Sequence, residues 1–260
     1  MKSFLFILCA VAATASLARA ESYSFKEPFS QTAPFNANGE LSLDNVNGHV
    51  EVSTWDKNEI LIEGEKSAKT DEELKAIELT IETSPTAATI KTRLPKRSGS
   101  WFSGSNIRAA VSFRLTVPTN AVIRHLSSVN GSVTLNGPAG PVNATTVNGR
   151  ITATGLRGDA KLTTVNGSVH ATFASLGAGQ HLTFDSVNGS ITVALPADAG
   201  ADVRASVVNG HIDCDFPLTL SSGRIKGGSL KGTIGDGRAT LKAESVNGSI
   251  HFQSAKLTKL

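Results

Sequence analysis

The sequence predicts an all-β fold: a β-solenoid of 18–22-residue coils behind an N-terminal capping β-sheet region. Three observations point there. Val-Asn-Gly occurs seven times, with Asn47, Asn130, Asn148, Asn166, Asn188, Asn209 and Asn247 at its centre. From the second copy onward the spacings are 18, 18, 22, 21 and 38 residues, the last close to two periods. Within each period apolar and polar residues alternate with period two, the mark of a strand with one buried face.

Aligning the copies on Asn-Gly shows which face goes in. Two residues after the glycine stand Val50, Val133, Ile151, Val169, Ile191, Ile212 and Ile250. Two further on stand Val52, Leu135, Ala153, Ala171, Val193, Cys214 and Phe252. Between these columns lies a polar one: Glu51, Thr134, Thr152, His170, Thr192, Asp213 and His251. In the coil at 145–168, Val147 and Ile151 are expected to fill the core while Asn148-Gly149 turns the corner. The repeat glycines are Gly48, Gly131, Gly149, Gly167, Gly189, Gly210 and Gly248. Asn-Gly readily takes φ > 0 and in isolation signals a tight hairpin. Recurrence in register argues instead for stacked coils, each burying its apolar column against its neighbours. Stacking brings successive asparagines within about 4.8 Å, so their amides can bond along the stack as a ladder. A β-sandwich of hairpins is the competing arrangement.

The elements follow in chain order. Residues 1–20 begin with Lys2, run through the apolar stretch from Phe4 to Ala13 and end Ala18-Arg19-Ala20, the pattern of an export signal cleaved after Ala20. The apolar run is shorter than the ~20 residues a membrane span needs. Removing it takes Lys2 and Arg19 from the 25 basic residues against 22 acidic ones, so the formal charge falls from +3 to +1. That balance gives no argument for nucleic acid. Cys214 is then the one remaining cysteine, which excludes an intramolecular disulfide.

Residues 21–120 read as the N-terminal cap with longer strands, containing a first coil near 39–55. The strand "EILIEGEKSA" (59–68) follows. "TDEELKAIELTIET" (70–83) opens with Thr70 and Glu73 at capping-box spacing, a helical turn leading into a strand. "ATIKTRLP" and "IRAAVSFRLTVP" (107–118) are long strands flanking the loop "KRSGSWFSGSN" (96–106). Residues 121–254 form the solenoid, of roughly seven coils by its period, with "RIKGGSL" (224–230) as a degenerate copy. Residues 255–260 are a tail.

The stretches "FRLTVPTNAVIRHLSSVNGSVTL", "ITVALPADAG" and "GTIGDGRATLKAESVNGSIHF" resemble the bacterial "putative adhesin" β-strand-repeat family, a domain of unknown function in exported and envelope-associated proteins. The resemblance covers roughly 36–252. It implies fold and an adhesin-like role, and brings no catalytic residues with it.

Candidate chemistry is sparse. The asparagines suit bend geometry better than ligation. His211, Asp213 and Asp215 alternate along one strand face and are the one candidate for holding a cation or for acid–base work. The matching positions of neighbouring coils hold Ser, Thr and Ala, which favours a solvated face. Cys214 falls in the inward column beside Val193, as a packing residue. "IGDGR" (234–238) has the glycine-aspartate pattern of calcium β-rolls once only, and reads as a turn. Lys91, Arg93, Lys96 and Arg97 precede Trp101 and Phe102 in a Gly/Ser-rich loop, basic residues beside aromatics that suit an anionic polymer, a lipid head group or a sugar ring. A nucleotide loop, a zinc pattern and a Ser-His-Asp context are all missing from the sequence.

The expectation is an exported, non-enzymatic binding or structural module of the cell envelope, in the periplasm or at the surface. Its partner would be a protein or polysaccharide met by a repetitive Ser/Thr-rich face, without nucleic acid, cofactor or transmembrane anchor. The alternatives are a carbohydrate-active β-helix enzyme, which needs carboxylates converging from adjacent coils, and an envelope-stress or assembly partner protein.

Overall fold

A computed structural model describes residues 23–94, 108–220 and 228–255. The all-β expectation holds: the described residues form twenty-one strands in two large sheets and one five-residue helix. The non-repeat part comprises β1 (Phe25–Pro34), β2 (Glu40–Asn47), β3 (Val50–Trp55), β4 (Glu59–Ala68), α1 (Asp71–Lys75), β5 (Glu78–Thr83), β6 (Ala87–Arg93) and β7 (Ala109–Pro118), with the first repeat unit, β2–β3, inside it. The helical turn forms where the capping box predicts it, the Thr70 side chain accepting from the Glu73 N–H.

The following repeat units are β8 (Val122–Asn130) with β9 (Val133–Asn136), β10 (Val142–Asn148) with β11 (Ile151–Leu156), β12 (Ala160–Asn166) with β13 (Val169–Phe173), and β14 (His181–Asn188) with β15 (Ile191–Leu195). Then come β16 (Ala201–Asn209) with β17 (Ile212–Cys214), the short strands β18 (Leu218–Leu220) and β19 (Ser229–Ile234), and finally β20 (Ala239–Asn247) with β21 (Ile250–Ser254). Each Asn-Gly carries the chain from one sheet to the other. The first strand of every unit joins the sheet β18-β19-β16-β20-β14-β12-β10-β8-β2-β6-β5, and the second joins β1-β4-β7-β3-β9-β11-β13-β15-β21-β17. Neighbouring units pair in parallel and in register, so Asn148 lies opposite Asn130 and Asn166, and Ile151 opposite Val133 and Val169. Parallel pairing across a corner, rather than a hairpin, is what the recurrence in register requires.

The core lies between the two sheets. Both inward columns are buried, with Val50, Val133, Ile151, Val169, Ile191 and Ile250 at most 1% exposed, whereas Ile212 and Cys214 in the terminal unit are only partly covered. Val147 is a correction. It is 37% exposed, and the inward residue is its neighbour Thr146, at 0%. Counting by twos from the buried Ala144 puts Thr146 inside and Val147 outside. The buried hydroxyl is satisfied across units: Thr146, Thr164, Ser186 and Ser245 each donate Oγ to a repeat-glycine carbonyl of the adjacent unit at 3.1 Å. Val207 takes this place in β16.

The repeat glycines are needed for close approach. A Cβ on Gly149 would stand 2.1 Å from the Gly131 oxygen, and one on Gly167 would stand 1.9 Å from the Gly149 oxygen. No side chain fits between backbones so near.

The order of units departs from the order of the chain. The last unit, β20–β21, inserts between β14–β15 and β16–β17. The segment around "RIKGGSL" is not a unit: residues 221–227 lie outside the described ones, and β18–β19 is an antiparallel pair on the edge of β16. Residues 121–254 therefore supply six two-strand units, and β2–β3 is the seventh in the stack. At the other end β1, β4 and β7 continue one sheet, and β6 and β5 the other.

Candidate functional site

The corner between the sheets carries two parallel rows. In the first, every repeat asparagine is joined: Asn130 Nδ2 donates to Asn47 Oδ1, Asn148 to Asn130, Asn166 to Asn148, Asn188 to Asn166, Asn247 to Asn188 and Asn209 to Asn247, at 2.8–2.9 Å. Asn47 closes the end by donating to the Ala109 carbonyl at 3.0 Å. A carboxamide has two N–H donors and two acceptor lone pairs, so each interior asparagine keeps one of each for solvent or a ligand. The second row holds the preceding valines. Val129, Val147, Val165, Val187 and Val246 are 37–41% exposed and Val208 is 71% exposed. Phe25 apart, these are all the exposed large hydrophobic residues among the described ones. Strand spacing sets their repeat at about 4.8 Å.

Behind the valines the outer face turns polar and partly charged. Asp185 lies directly opposite Glu244 on the neighbouring strand. Burial, and then the Glu244 charge, push the Asp185 carboxyl above the usual carboxylate range. A carboxyl raised by folding favours the native state while protonated, and that contribution is lost as pH rises through its folded value. Asp185→Asn is therefore expected to melt above the parent at pH 7. Below the ordinary aspartate value of about 3.9 the difference should vanish. Thermal melts across pH 3–8 measure it; a constant difference would disprove the coupling.

The other sheet's outward row reads Glu51, Thr134, Thr152, His170, Thr192, His251, Asp213 in spatial order. At its end the inserted unit brings His251 opposite Asp213, a neighbour that the sequential order of coils hid. His211 Nε2 lies 3.0 Å from Asp213 Oδ2, and His251 Nε2 lies 3.4 Å from Asp215 Oδ1. Ser249 Oγ is 2.9 Å from His211 Nδ1. Ser249, His211 and Asp213 thus share the connectivity of nucleophile, base and orienting acid. However, the imidazole and carboxylate are 69% and 52% exposed, so water screens both, and neither of two clefts at the turns includes them. Among the described residues no group of three His, Cys, Asp or Glu side chains is arranged to hold a metal ion. Cys214 sits opposite Phe252, not beside Val193, because β21 intervenes. Its thiol is half-buried and burial pushes its pKa up, as suits a packing residue rather than a nucleophile.

Of the basic loop residues, Lys91 and Arg93 project outward from β6, Lys91 opposite Asp44 and Arg93 4.0 Å from Glu78. Lys96, Arg97, Trp101 and Phe102 lie outside the described residues. "IGDGR" makes the β19–β20 turn, with Gly235 and Gly237 at φ 55° and 67°. The Arg238 guanidinium holds the Asp236 carboxyl below its usual range.

Among the described residues, clefts open at the turns. One, of about 390 Å³, is lined by Asp198, Phe216, Asp236 and Arg238 among others. The second, of about 490 Å³, is lined by Asn36, Ala37, Asn38, Gly39, Asn58 and Thr86. Sequence reasoning missed it, because its residues come from three separate turns with no shared spacing.

These features define an all-β repeat protein whose distinctive chemistry stands in surface rows, set by in-register stacking. Residues 136–253 match the family described as Toastrack DUF4097. This accords with the resemblance to "putative adhesin" repeats drawn from the sequence. A crystal structure of a putative cell adhesion protein from Clostridium sporogenes ATCC 15579 is similar, with TM-score 0.52 and 13% identity over 88% of this chain and 100% of that one. A putative adhesin from Bacteroides fragilis NCTC 9343 matches with TM-score 0.37 and 9% identity, over 87% and 97% of the two chains. A putative lipid binding protein from Parabacteroides distasonis ATCC 8503 matches with TM-score 0.28 and 12% identity, over 86% and 96%. At these identities only the first carries weight, and it speaks for the fold. No curated protein matches the sequence. Among the described residues no helix is long and apolar enough to cross a membrane.

Proposed function

We propose that the chain is an exported β-solenoid that works as a non-enzymatic binding module of the bacterial cell envelope, with a protein or polysaccharide as its partner. One observation carries this: the in-register valine row beside the asparagine ladder. Exposed apolar residues gathered into one stripe mark interaction surfaces, and here they lie next to unused amide donors and acceptors at the same repeat. An extended partner can lie along both rows. The enzyme alternative needs carboxylates converging in a cleft from successive units; Asp185 and Glu244 meet across two units but line neither cleft, and the other sheet's outward row holds Thr134, Thr152, His170 and Thr192.

Co-sedimentation of purified protein with bacterial envelope fractions tests the reading. The parent protein is expected to pellet with the envelope. Val147→Ser combined with Val165→Ser should abolish most of that capture. Both side chains are outward, so each change should alter stability by no more than about 0.5 kcal/mol. A parent that stays in solution, or a double variant captured equally, overturns the proposal.

A further inference from the structure

We infer that the cleft formed by Asn36, Asn38, Asn58 and Thr86 is a binding site for a neutral saccharide. The inference rests on the reading above as a binding module and assigns that module a second, separate contact.

The frame of the cleft is built from backbone. Three turns meet there: β1–β2, β3–β4 and β5–β6. Phe35 donates its N–H to the Asn58 carbonyl at 3.0 Å, Asn36 to the Pro85 carbonyl at 2.7 Å, and Glu40 to the Thr86 carbonyl at 2.9 Å. Gly39 donates to the Asn36 carbonyl at 2.9 Å and closes the first turn. Beneath lies the Phe35 ring, fully buried. A Cβ at Gly39 would come within 2.6 Å of that ring, so glycine lets Phe35 seat under the turn.

The side chains on this frame are unused. Turn asparagines ordinarily bond their own backbone, and the repeat asparagines are all joined in the ladder. The carboxamides of Asn36, Asn38 and Asn58 and the Thr86 hydroxyl bond to no described residue, although main-chain bonds lace their backbones together. Three donor–acceptor amides and one hydroxyl thus belong to residues lining a single cleft, on a main-chain frame fixed before any ligand arrives.

The chemistry selects the ligand. A carboxamide offers a donor and an acceptor side by side, which matches the hydroxyls of a polyol. The lining holds no charged side chain, so neither a phosphate nor a carboxylate finds a counter-charge. Nor does it hold an aromatic ring or any aliphatic side chain beyond Ala37, which excludes an apolar ligand. The volume of about 490 Å³ lies within the range of small-ligand sites.

The test is saturation-transfer NMR followed by titration of the full chain with maltotriose, cellotriose, triacetylchitotriose and, as a charged control, trigalacturonate. At least one neutral trisaccharide should bind in the millimolar range or tighter. Asn36→Ala with Asn58→Ala should weaken that binding roughly tenfold or more, as the loss of two hydrogen bonds implies. Asn143→Ala, which removes a free carboxamide elsewhere, should leave it unchanged. Binding of none of the neutral sugars, binding of trigalacturonate alone, or a double variant that binds like the parent overturns the assignment. Envelope capture by a protein that binds none of the neutral sugars would sink the cleft alone. Sugar binding without envelope capture would sink the module reading and leave the cleft standing.

Discussion

Val169→Asp is expected to abolish cooperative folding, whereas Val165→Asp, four residues earlier in the same repeat, leaves the protein folded. Val169 is 1% exposed and packs in register between Ile151 and Ile191. The column it belongs to is apolar, so a carboxylate there is both desolvated and unpaired. Such burial costs several kcal/mol even after relaxation, a large part of the 5–15 kcal/mol that holds a typical domain together. Stacking spreads the damage, because each unit is covered only by the units beside it. Val165 is 37% exposed on the outer face, where a carboxylate keeps its water. Circular dichroism melts of the two variants decide the matter. A Val169→Asp protein that melts like the parent would show that the inward assignment is wrong.

The second large effect is expected from Gly167→Ala. Its new methyl group would sit 1.9 Å from the Gly149 oxygen and 2.6 Å from the carbonyl carbon behind it, both backbone atoms of the next unit. Neither can swing aside as a side chain would, so the strands must part and the asparagine ladder with them. Overpacking of this kind costs about 1–3 kcal/mol in ordinary cores, and the loss of ladder contacts adds to it. Gly179 provides the contrast. It stands at φ 76°, and a methyl group added to it would find nothing within 4 Å. Alanine there meets only the left-handed backbone penalty of about 1–2 kcal/mol. Urea unfolding should rank Gly167→Ala well below Gly179→Ala. Equal losses would mean that backbone conformation, not contact between units, explains the repeated glycine.

Much of the fold was legible because period-two burial is a local property. Ile151, Val169 and Ile191 could be placed inside from spacing alone, and Thr70 with Glu73 announced the helical turn. Val147 was misplaced because hydrophobicity was read instead of parity: counted by twos from Ala144, Thr146 faces in, and its hydroxyl is needed there to bond the Gly131 carbonyl. The position of β20–β21 was not legible for a different reason. Every unit offers its neighbours nearly the same apolar column and the same asparagine, so the sequence pattern cannot distinguish one stacking order from another. The pairing of Asp213 with His251 was lost with it. The asparagine cleft was hidden by distance along the chain, since nothing in the residues around 36, 58 or 86 declares that three turns meet.

That interchangeability also bears on how the molecule is made. The β16–β17 unit takes its place against β20–β21, which is joined in turn to β14–β15 across 59 residues of sequence between Asn188 and Asn247. A chain emerging from its N-terminus can lay down β8 to β15 one unit upon another, each bond closing a short loop. At β16 this zippering stops. β16 pairs antiparallel with β19, but it reaches the β14–β15 end of the stack only through the C-terminal unit wedged between them, like a keystone set from the side. Only then do both sheets become continuous, and the free edge that β14–β15 would offer to other chains in the meantime disappears.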